Sequence, residues 1–367
     1  MRIASYNVEN LFERATALAA DTPAAGDPGA DAIAAHGEIN TLLRKATYSS
    51  HDRDRILELL DALGLRQDDD GGAFALLCQN RGQLVRRRQN GDVEIVASGR
   101  ADWVGWVELK TEPVDEQTTR NTARVIFEVD ADILGVVEAE TRGSLRDFSR
   151  VMLRRVGGQP YAHSMLIEGN DDRGINVGVM TKTGFAIELA RTHIFDLGPE
   201  DTPIFSRDCV EYLVRTPAAN TVLVLVNHFK SKRGGGDARR LAQAARVKEI
   251  VNERLAEHPN LVVLGDLNDT PDSANLAPLL SQTPLKDIST SPRFDDGGFA
   301  GTFGTQGARN KIDYVLLSPT LIDKATAGGG FRQGVFSASN RWPMFPDMTE
   351  HTQASDHAAI WADIDLP

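Results

Sequence analysis

Apolar runs that end in one polar residue recur along the chain. Ile3 to Val8 predicts an N-terminal strand that gives way to the polar cluster Asn7, Glu9 and Asn10. Ile133 to Val137 is uniformly apolar, as a strand buried on both faces would be, and Glu138 closes it. The same reasoning predicts strands at 174–181, 210–215, 221–228, 261–265, 312–317 and 358–364. Helical spacing of Ile56, Leu59, Leu60 and Leu63, with Gly64 behind them, predicts a helix over 54–65. Further helices are predicted at 121–129, 143–156 and 237–257. Residues 13–37, rich in Ala, Gly, Pro and Asp, read as a weak helix and then a loop, and Asp68 to Gly72 as a turn. Two strands, 93–96 and 103–109, are expected on either side of Ser98-Gly99-Arg100. In the second of them Trp103 and Trp106 alternate with Val104 and Val107, which places one face in a core.

The 328–352 segment starts glycine-rich and continues with Phe331, Phe336, Trp342, Phe345 and two prolines. Long irregular loops in compact domains tend to be functional or disordered, and the aromatic residues favour an ordered one. No internal repeat or flexible linker interrupts the 367 residues, so one domain over 1–367 with a decorated core is expected.

The polar residues at these strand ends share a chemistry. Glu138 closes 133–137, and His228 follows Val222 to Asn227. Asp266 and Asn268 follow Leu261 to Gly265, Asp356 and His357 precede Ala358 to Trp361, and Asp313 lies within Lys311 to Leu317. An unpaired buried carboxylate is costly, so strand ends that converge on one edge would turn these groups into a site. Asp, Glu and Asn oxygens with no Cys among them suit a hard cation, Mg²⁺ or Mn²⁺. Histidine beside carboxylate adds acid or base capacity near neutral pH. Metal-assisted phosphoester hydrolysis needs both.

Six of these pieces occur in the order found in a known family: Ser5-Tyr6-Asn7-Val8, Asp132 to Glu138, Asn227-His228, Gly265-Asp266-Leu267-Asn268, Lys311 to Val315 and Ser355-Asp356-His357. The chain resembles the endonuclease/exonuclease/phosphatase superfamily, which includes deoxyribonuclease-like nucleases, abasic-site endonucleases, inositol polyphosphate phosphatases and neutral sphingomyelinases. The resemblance implies an α/β (α+β) fold, a four-layer αββα sandwich of two packed mixed sheets. It implies Glu138 as main metal ligand, Asp356 in the metal shell and Asn7 supporting metal and phosphate. Asp266 would align or activate water, and Asn268 would hydrogen-bond the phosphate or nucleophile. His357, oriented by Asp313, would act as base or polarise the phosphoryl group. His228 matches the second histidine of the deoxyribonuclease-like and sphingomyelinase branches, where it assists the leaving group; otherwise it is a core histidine. Two features depart from the pattern. Val137 stands where the family often has Gln, and the stretch from Asn7 to Glu138 is long, so residues 66–115 read as an insertion. Arg173 and Asn176 would line the phosphate site or form a plain turn, and Arg207 resembles a position near the substrate phosphate.

With 40 basic and 52 acidic side chains the net charge is −12, so contact with a polyanion requires local basic patches or a metal. One such cluster, Arg81, Arg86, Arg87 and Arg88, lies in the insertion. Another, Lys230, Lys232, Arg233, Arg239 and Arg240, follows His228 closely and would track a phosphate backbone. Cys78 and Cys209 are expected as buried free thiols, with no disulfide partner. No targeting segment or membrane anchor is read, which gives a cytoplasmic expectation, and oligomeric state stays open at the level of sequence. A nuclease acting on DNA or RNA is the leading expectation. A phosphomonoesterase or lipid phosphodiesterase on the same scaffold is the alternative. A catalytically dead binding protein is disfavoured because no member of the constellation is missing.

Overall fold

The computed structural model describes residues 1–9, 28–110, 116–171, 174–232 and 235–367. In chain order the elements begin with β1 (Arg2–Asn7), α1 (Pro28–Leu43), α2 (Ser50–Ala62), β2 (Ala75–Arg81), β3 (Val85–Arg87), β4 (Val93–Ile95) and β5 (Val104–Leu109). There follow α3 (Glu116–Val129), β6 (Ile133–Ala139), α4 (Arg142–Arg155), β7 (His163–Ile167), β8 (Asn176–Thr181) and β9 (Ala186–Arg191). The second half holds β10 (Cys209–Arg215), β11 (Thr221–His228), α5 (Asp237–Arg254), β12 (Leu261–Asp266), α6 (Ala277–Leu280), β13 (Lys286–Asp287) and β14 (Phe294–Asp295). Last come β15 (Asp313–Leu317), α7 (Pro319–Asp323), β16 (Ala325–Phe331) and β17 (Ala359–Ile364). Among the described residues no helix is long and apolar enough to cross a membrane.

Residues 1–12 and 114–367 form one compact unit, and 13–113 a second. The first is built on a seven-stranded sheet, ordered β14-β16-β17-β1-β6-β8-β7, and a six-stranded sheet, ordered β13-β15-β12-β11-β10-β9. Their facing side chains merge into one core that includes Ile3, Ile133, Val177, Val224, Val262, Leu264 and Ile360. On the outer faces α3 and α4 cover the first sheet through Val125, Leu145 and Phe148, while α5 covers the second through Val247 and Ile250. These layers make the αββα sandwich.

The second unit starts earlier than the expected insertion at 66–115, because α1 and α2 pack with its small sheets. Ile39, Leu43, Ile56 and Leu60 share a core with Leu77, Trp103 and Val107. A capping box between Ser49 and Asp52 starts α2 four residues ahead of the predicted start at 54. The two strands expected around Ser98-Gly99-Arg100 form but do not pair with each other. Instead β4 pairs with β3 and β5 with β2. The Asp102 carboxylate accepts from the amides of Ser98 and Gly99, which folds 98–102 into a tight loop of its own. Trp103 is buried and Trp106 exposed; Cys209 is buried and Cys78 half-buried.

One boundary needs correcting in the first unit. Gly328 to Gly330 open no loop; they lie in β16, paired with β17. A Cβ on Gly329 would sit 2.9 Å from the Trp361 ring, so glycine lets that indole lie across the strand. The irregular segment after Phe331 is held by Trp342, whose ring meets Phe299 edge-on at 5.1 Å and whose indole N–H donates to the Val335 carbonyl.

A buried ionic network ties β9 and β10 to α5. Glu211, 1% exposed, accepts from His193 Nε2 at 2.9 Å and from Arg254 Nε at 2.9 Å. His193 Nδ1 meets Asp196, which also holds Arg246. Burial alone would raise the Glu211 carboxyl, but His193 and Arg254 bring it down to about 2. Burial opposes the His193 imidazolium, yet Glu211 and Asp196 raise it above its ordinary value. The histidine contribution is therefore complete below about pH 6.5 and fades as pH climbs through the raised folded value. The glutamate contribution is complete above about pH 4.5 and fades as pH falls toward 2. Replacing Glu211 by Gln strands buried cations and should cost about 3 kcal/mol. Thermal melts of Glu211→Gln and wild type over a pH series should differ most between those limits. A gap that does not vary with pH would show that the network is packing rather than charge.

Candidate active site

Register alone brings three of the expected groups into one row. His228 pairs with Asp266 across β11 and β12, and Asp266 pairs with Asp313 across β12 and β15. Gly265 makes this possible: its φ is +133°, and a Cβ there would lie 1.9 Å from the Asn227 carbonyl of the neighbouring strand. The other sheet supplies Asn7 at the end of β1 and Glu138 near the end of β6. Glu138 is an extra residue in its strand: Val137 and Ala139 pair with consecutive residues of β8, and Glu138 has φ +67°. Such a bulge re-aims a side chain, here toward the row on the facing sheet. Asp356 and His357 arrive just before β17, where His357 bridges to Phe303 and its ring lies 4.8 Å from that phenyl.

The groups meet at hydrogen-bond range. Asn7 Nδ2 lies 3.3 Å from Glu138 Oε1, 3.3 Å from Asp266 Oδ2 and 3.4 Å from His357 Nε2. Its side-chain Oδ1 instead accepts from the Glu9 amide. As placed, Asn7 thus links the two sheets' acids by donation. Asn268 likewise serves Asp266: its backbone N–H donates to Oδ1 at 2.8 Å and Nδ2 to Oδ2 at 3.2 Å. His357 Nδ1 lies 2.8 Å from Asp313 Oδ2, which also accepts from Thr302 Oγ1 at 2.7 Å. A carboxylate partner assigns the Nδ1 proton to the ring, so Nε2 faces the centre. His228 Nε2 stands 3.6 Å from Glu138 Oε1 and 3.7 Å from Asp266 Oδ2, beyond hydrogen-bond length.

Four carboxylates share this small space, and two of them are raised. Burial raises Asp266, and Asp313 and Glu138 raise it further. Asp356 is raised by burial and again by Glu138 and Asp313. Burial works against a charged His357, but Asp313, Asp356 and Asp266 outweigh it and lift it well above the ordinary imidazole range. A divalent cation would relieve this excess of negative charge, and the oxygen-rich donor set fits a hard ion. Asp266, Asp313 and His357 offer ligand atoms within 4.8 Å of one another, although the hydrogen bond between Asp313 and His357 already engages one atom of each.

Other candidates sit elsewhere. Arg207 is buried and paired with Asp171 at 2.9 Å, its guanidinium also reaching the Phe229 carbonyl, so it braces the interior. Asn176 spends its amide on backbone groups: Nδ2 donates to Glu140 O and Oδ1 accepts from Gly169 N. Arg173 and Arg233 lie outside the described residues. The basic stretch after His228 is mostly neutralised within the protein. Lys232 pairs with Asp269 at 2.8 Å, Arg240 is buried against Asp237 and Asp269, and Arg239 donates to the carbonyls of Pro203 and Ile204. Lys230 is half-buried, and its backbone is held by Gln243 and Arg240. Three supporting residues were given no role in the sequence reading. Thr302 fixes Asp313, Ser355 bridges the Asn7 carbonyl and the His357 amide, and Glu9 accepts from the Asp356 amide. Ser355 and Glu9 adjoin residues already singled out; no signal marks Thr302.

Asp313 is the main charge that sustains the His357 imidazolium, so Asp313→Asn should lower the His357 titration midpoint. Proton NMR of the metal-free protein measures it directly. An unmoved midpoint would transfer that role to Asp356 and Asp266.

Comparisons with known proteins identify the family and the fold. The model of the Endonuclease/Exonuclease/phosphatase family matches residues 112–357, nearly all within the first unit. Among solved structures, a mannosyl-6-phosphatase from Bacteroides thetaiotaomicron is 16% identical with a TM-score of 0.50, over 68% of this chain and 91% of that one. An endonuclease/exonuclease/phosphatase from Bacteroides vulgatus is also 16% identical with a TM-score of 0.50, over 69% and 91%. Truncated TDP2 from Caenorhabditis elegans is 18% identical with a TM-score of 0.47, over 67% and 90%. A comparison with curated proteins finds no significant match. The chain belongs to the Endonuclease/Exonuclease/phosphatase family, divalent-metal-dependent hydrolases that act on phosphoester bonds.

Proposed function

We propose that the protein hydrolyses phosphodiesters with Mg²⁺ or Mn²⁺, and that nucleic acid, DNA or RNA, is its substrate class. The observation that carries this reading is a pair of imidazoles beside one carboxylate: His228 Nε2 lies 3.7 Å and His357 Nε2 4.0 Å from Asp266 Oδ2. Hydrolysis of a diester needs a proton taken from water and another given to a departing alkoxide. Two imidazoles at one site can divide those tasks.

Glu138 and Asp356 would hold the cation, with Asn7 ordering Glu138 and Asp266 between the sheets. When bound, the cation supplies charge for the phosphoryl oxygens. Asp266, fixed by both donors of Asn268, aligns the attacking water. His357, oriented by Asp313 and Thr302, polarises the phosphoryl group as the imidazolium, or takes up the proton where a bound cation offsets the carboxylates that otherwise keep it charged. His228 then serves the leaving oxygen.

A second reading, a small phosphoester or phospholipid headgroup as substrate, draws on the internal pairing of Lys232, Arg239 and Arg240, which removes much of the phosphate track expected after His228. Purified protein with Mn²⁺, assayed on plasmid, single-stranded DNA, RNA, a bis-aryl phosphodiester and an aryl phosphomonoester, separates the two. Metal-dependent cleavage of polynucleotide, abolished by EDTA, is expected; turnover of the monoester alone would overturn the diesterase reading. His228→Ala should cost about 10² to 10⁴ in kcat on polynucleotide. It should cost far less on the aryl diester, whose leaving group needs no acid. Equal losses would remove His228 from the leaving-group side. For Glu138→Ala, calorimetric titration with Mn²⁺ should show the tight site gone while the metal-free melting curve stays near wild type. Unchanged binding would move the metal to Asp266, Asp313 and His357.

A further inference from the structure

One helix of the first unit carries charge that the site does not use. Arg142, Arg146, Arg150 and Arg154 recur every fourth residue along α4, with Arg155 beside the last and Asp147 the only acid in the helix. Each step rises about 6 Å and turns only about 40° past a full circle, so the four guanidinia form a slowly winding ridge. Like charges four apart on a helix repel, so helix stability would not select this spacing. The chain's net charge of −12 makes the bias sharper.

The ridge differs from the basic stretch after His228, whose cations are largely neutralised. Among the described residues, Arg150 and Arg154 are exposed and have no hydrogen bond or ion pair. Arg142 gives only Nε, to the Ser164 carbonyl at 2.9 Å, and Arg146 meets only its neighbour Asp147. Arg142, Arg146 and Arg150 line a recess of about 230 Å³ between α4 and β7, with His163 and Ser164 opposite and no carboxylate in its wall. The ridge also begins near the chemistry. Arg142 follows Glu138 by four residues, a reach of at most about 14 Å along the chain.

We propose that the arginine ridge of α4 binds the phosphates of a nucleic-acid strand and leads it to the catalytic edge. The proposal rests on nucleic acid being the substrate class. Guanidinium forks match phosphate oxygens two at a time, and a line of them one helical turn apart follows a strand. A concave, arginine-lined recess admits a phosphate group but not the plane of a bilayer, which favours a strand over a membrane surface.

The test is binding of a fluorescein-labelled single-stranded oligothymidylate, followed by anisotropy over a salt series with EDTA present. Arg146→Ala with Arg150→Ala should raise Kd on the order of tenfold and reduce the slope of log Kd against log salt by about 1.4, roughly 0.7 for each lost phosphate contact. Replacing both by Lys should keep most of the slope. The exposed single change Arg150→Glu should weaken binding in the same direction, which guards against a misfolded double variant. If wild type binds and the variants match it in Kd and slope, the ridge is overturned while the substrate class stands. If wild type neither binds the strand nor, with Mn²⁺, cleaves any polynucleotide, while still turning over the aryl diester, the substrate class fails and the ridge with it. Arginine-dependent sedimentation with phosphatidylserine vesicles, without arginine-dependent binding of the strand, would make the surface a membrane contact and overturn the proposal.

Discussion

Four carboxylates and two imidazoles crowd the rim where two apolar sheets meet, and their mutual repulsion sets the terms for everything around them. Taking one charge out of water is expensive unless it is paired and hydrogen-bonded. The structure answers that cost residue by residue. Asp313 leans on His357 and Thr302, Asp266 on both donors of Asn268, and Asn7 spans Glu138 and Asp266. Apart from His357, which pairs with Asp313 as a cation, these partners orient the acids without neutralising them. The surplus negative charge is what makes the rim a place for a hard cation.

Such a rim can persist only because the scaffold beneath it is almost purely apolar. The facing surfaces of the two sheets share one core of valine, leucine and isoleucine, and helices seal the outer faces. Strand register does the positioning, so His228, Asp266 and Asp313 are neighbours because β11, β12 and β15 are neighbours. Sites held by strands keep their geometry better than sites held by loops. Glu138 needs one more device, a bulge that turns it across the gap between the sheets.

Charge elsewhere in the first unit falls into two kinds. Around β9, β10 and α5, arginines are spent on buried acids and carbonyls, and the stretch after His228 behaves the same way. Along α4, Arg155 pairs with Glu116 and Arg146 with Asp147, but among the described residues Arg150 and Arg154 face outward with no partner, and Arg142 spends only one donor. Internal pairing converts charge into rigidity, whereas unpaired charge stays available to a ligand. Position in sequence could not tell the two apart, because it does not reveal which acids fold back onto which bases.

Periodicity and strand-end chemistry were enough to read most of the inner strands and to single out the polar residues at their ends, while the sandwich itself was read from the resemblance to the family. Inner strands are buried on both faces, so their composition is extreme and their polar ends stand out. Edge strands such as β7 and β9, half exposed, carry no such contrast and were not read. The true partners of β4 and β5, the early start of the second unit and the glycine-rich strand β16 also lay beyond periodicity, since each depends on a contact made elsewhere: the Asp102 loop, the α1 and α2 packing, the Trp361 ring. The same holds at the site. Sequence singled out Asp313, His357 and Arg207 alike. Tertiary structure alone decided that Asp313 and His357 meet at the rim while Arg207 is sealed beneath it with Asp171. Residue type limits the chemistry a side chain can perform, but burial and partner, set by segments far apart in the chain, decide whether it is free to perform it.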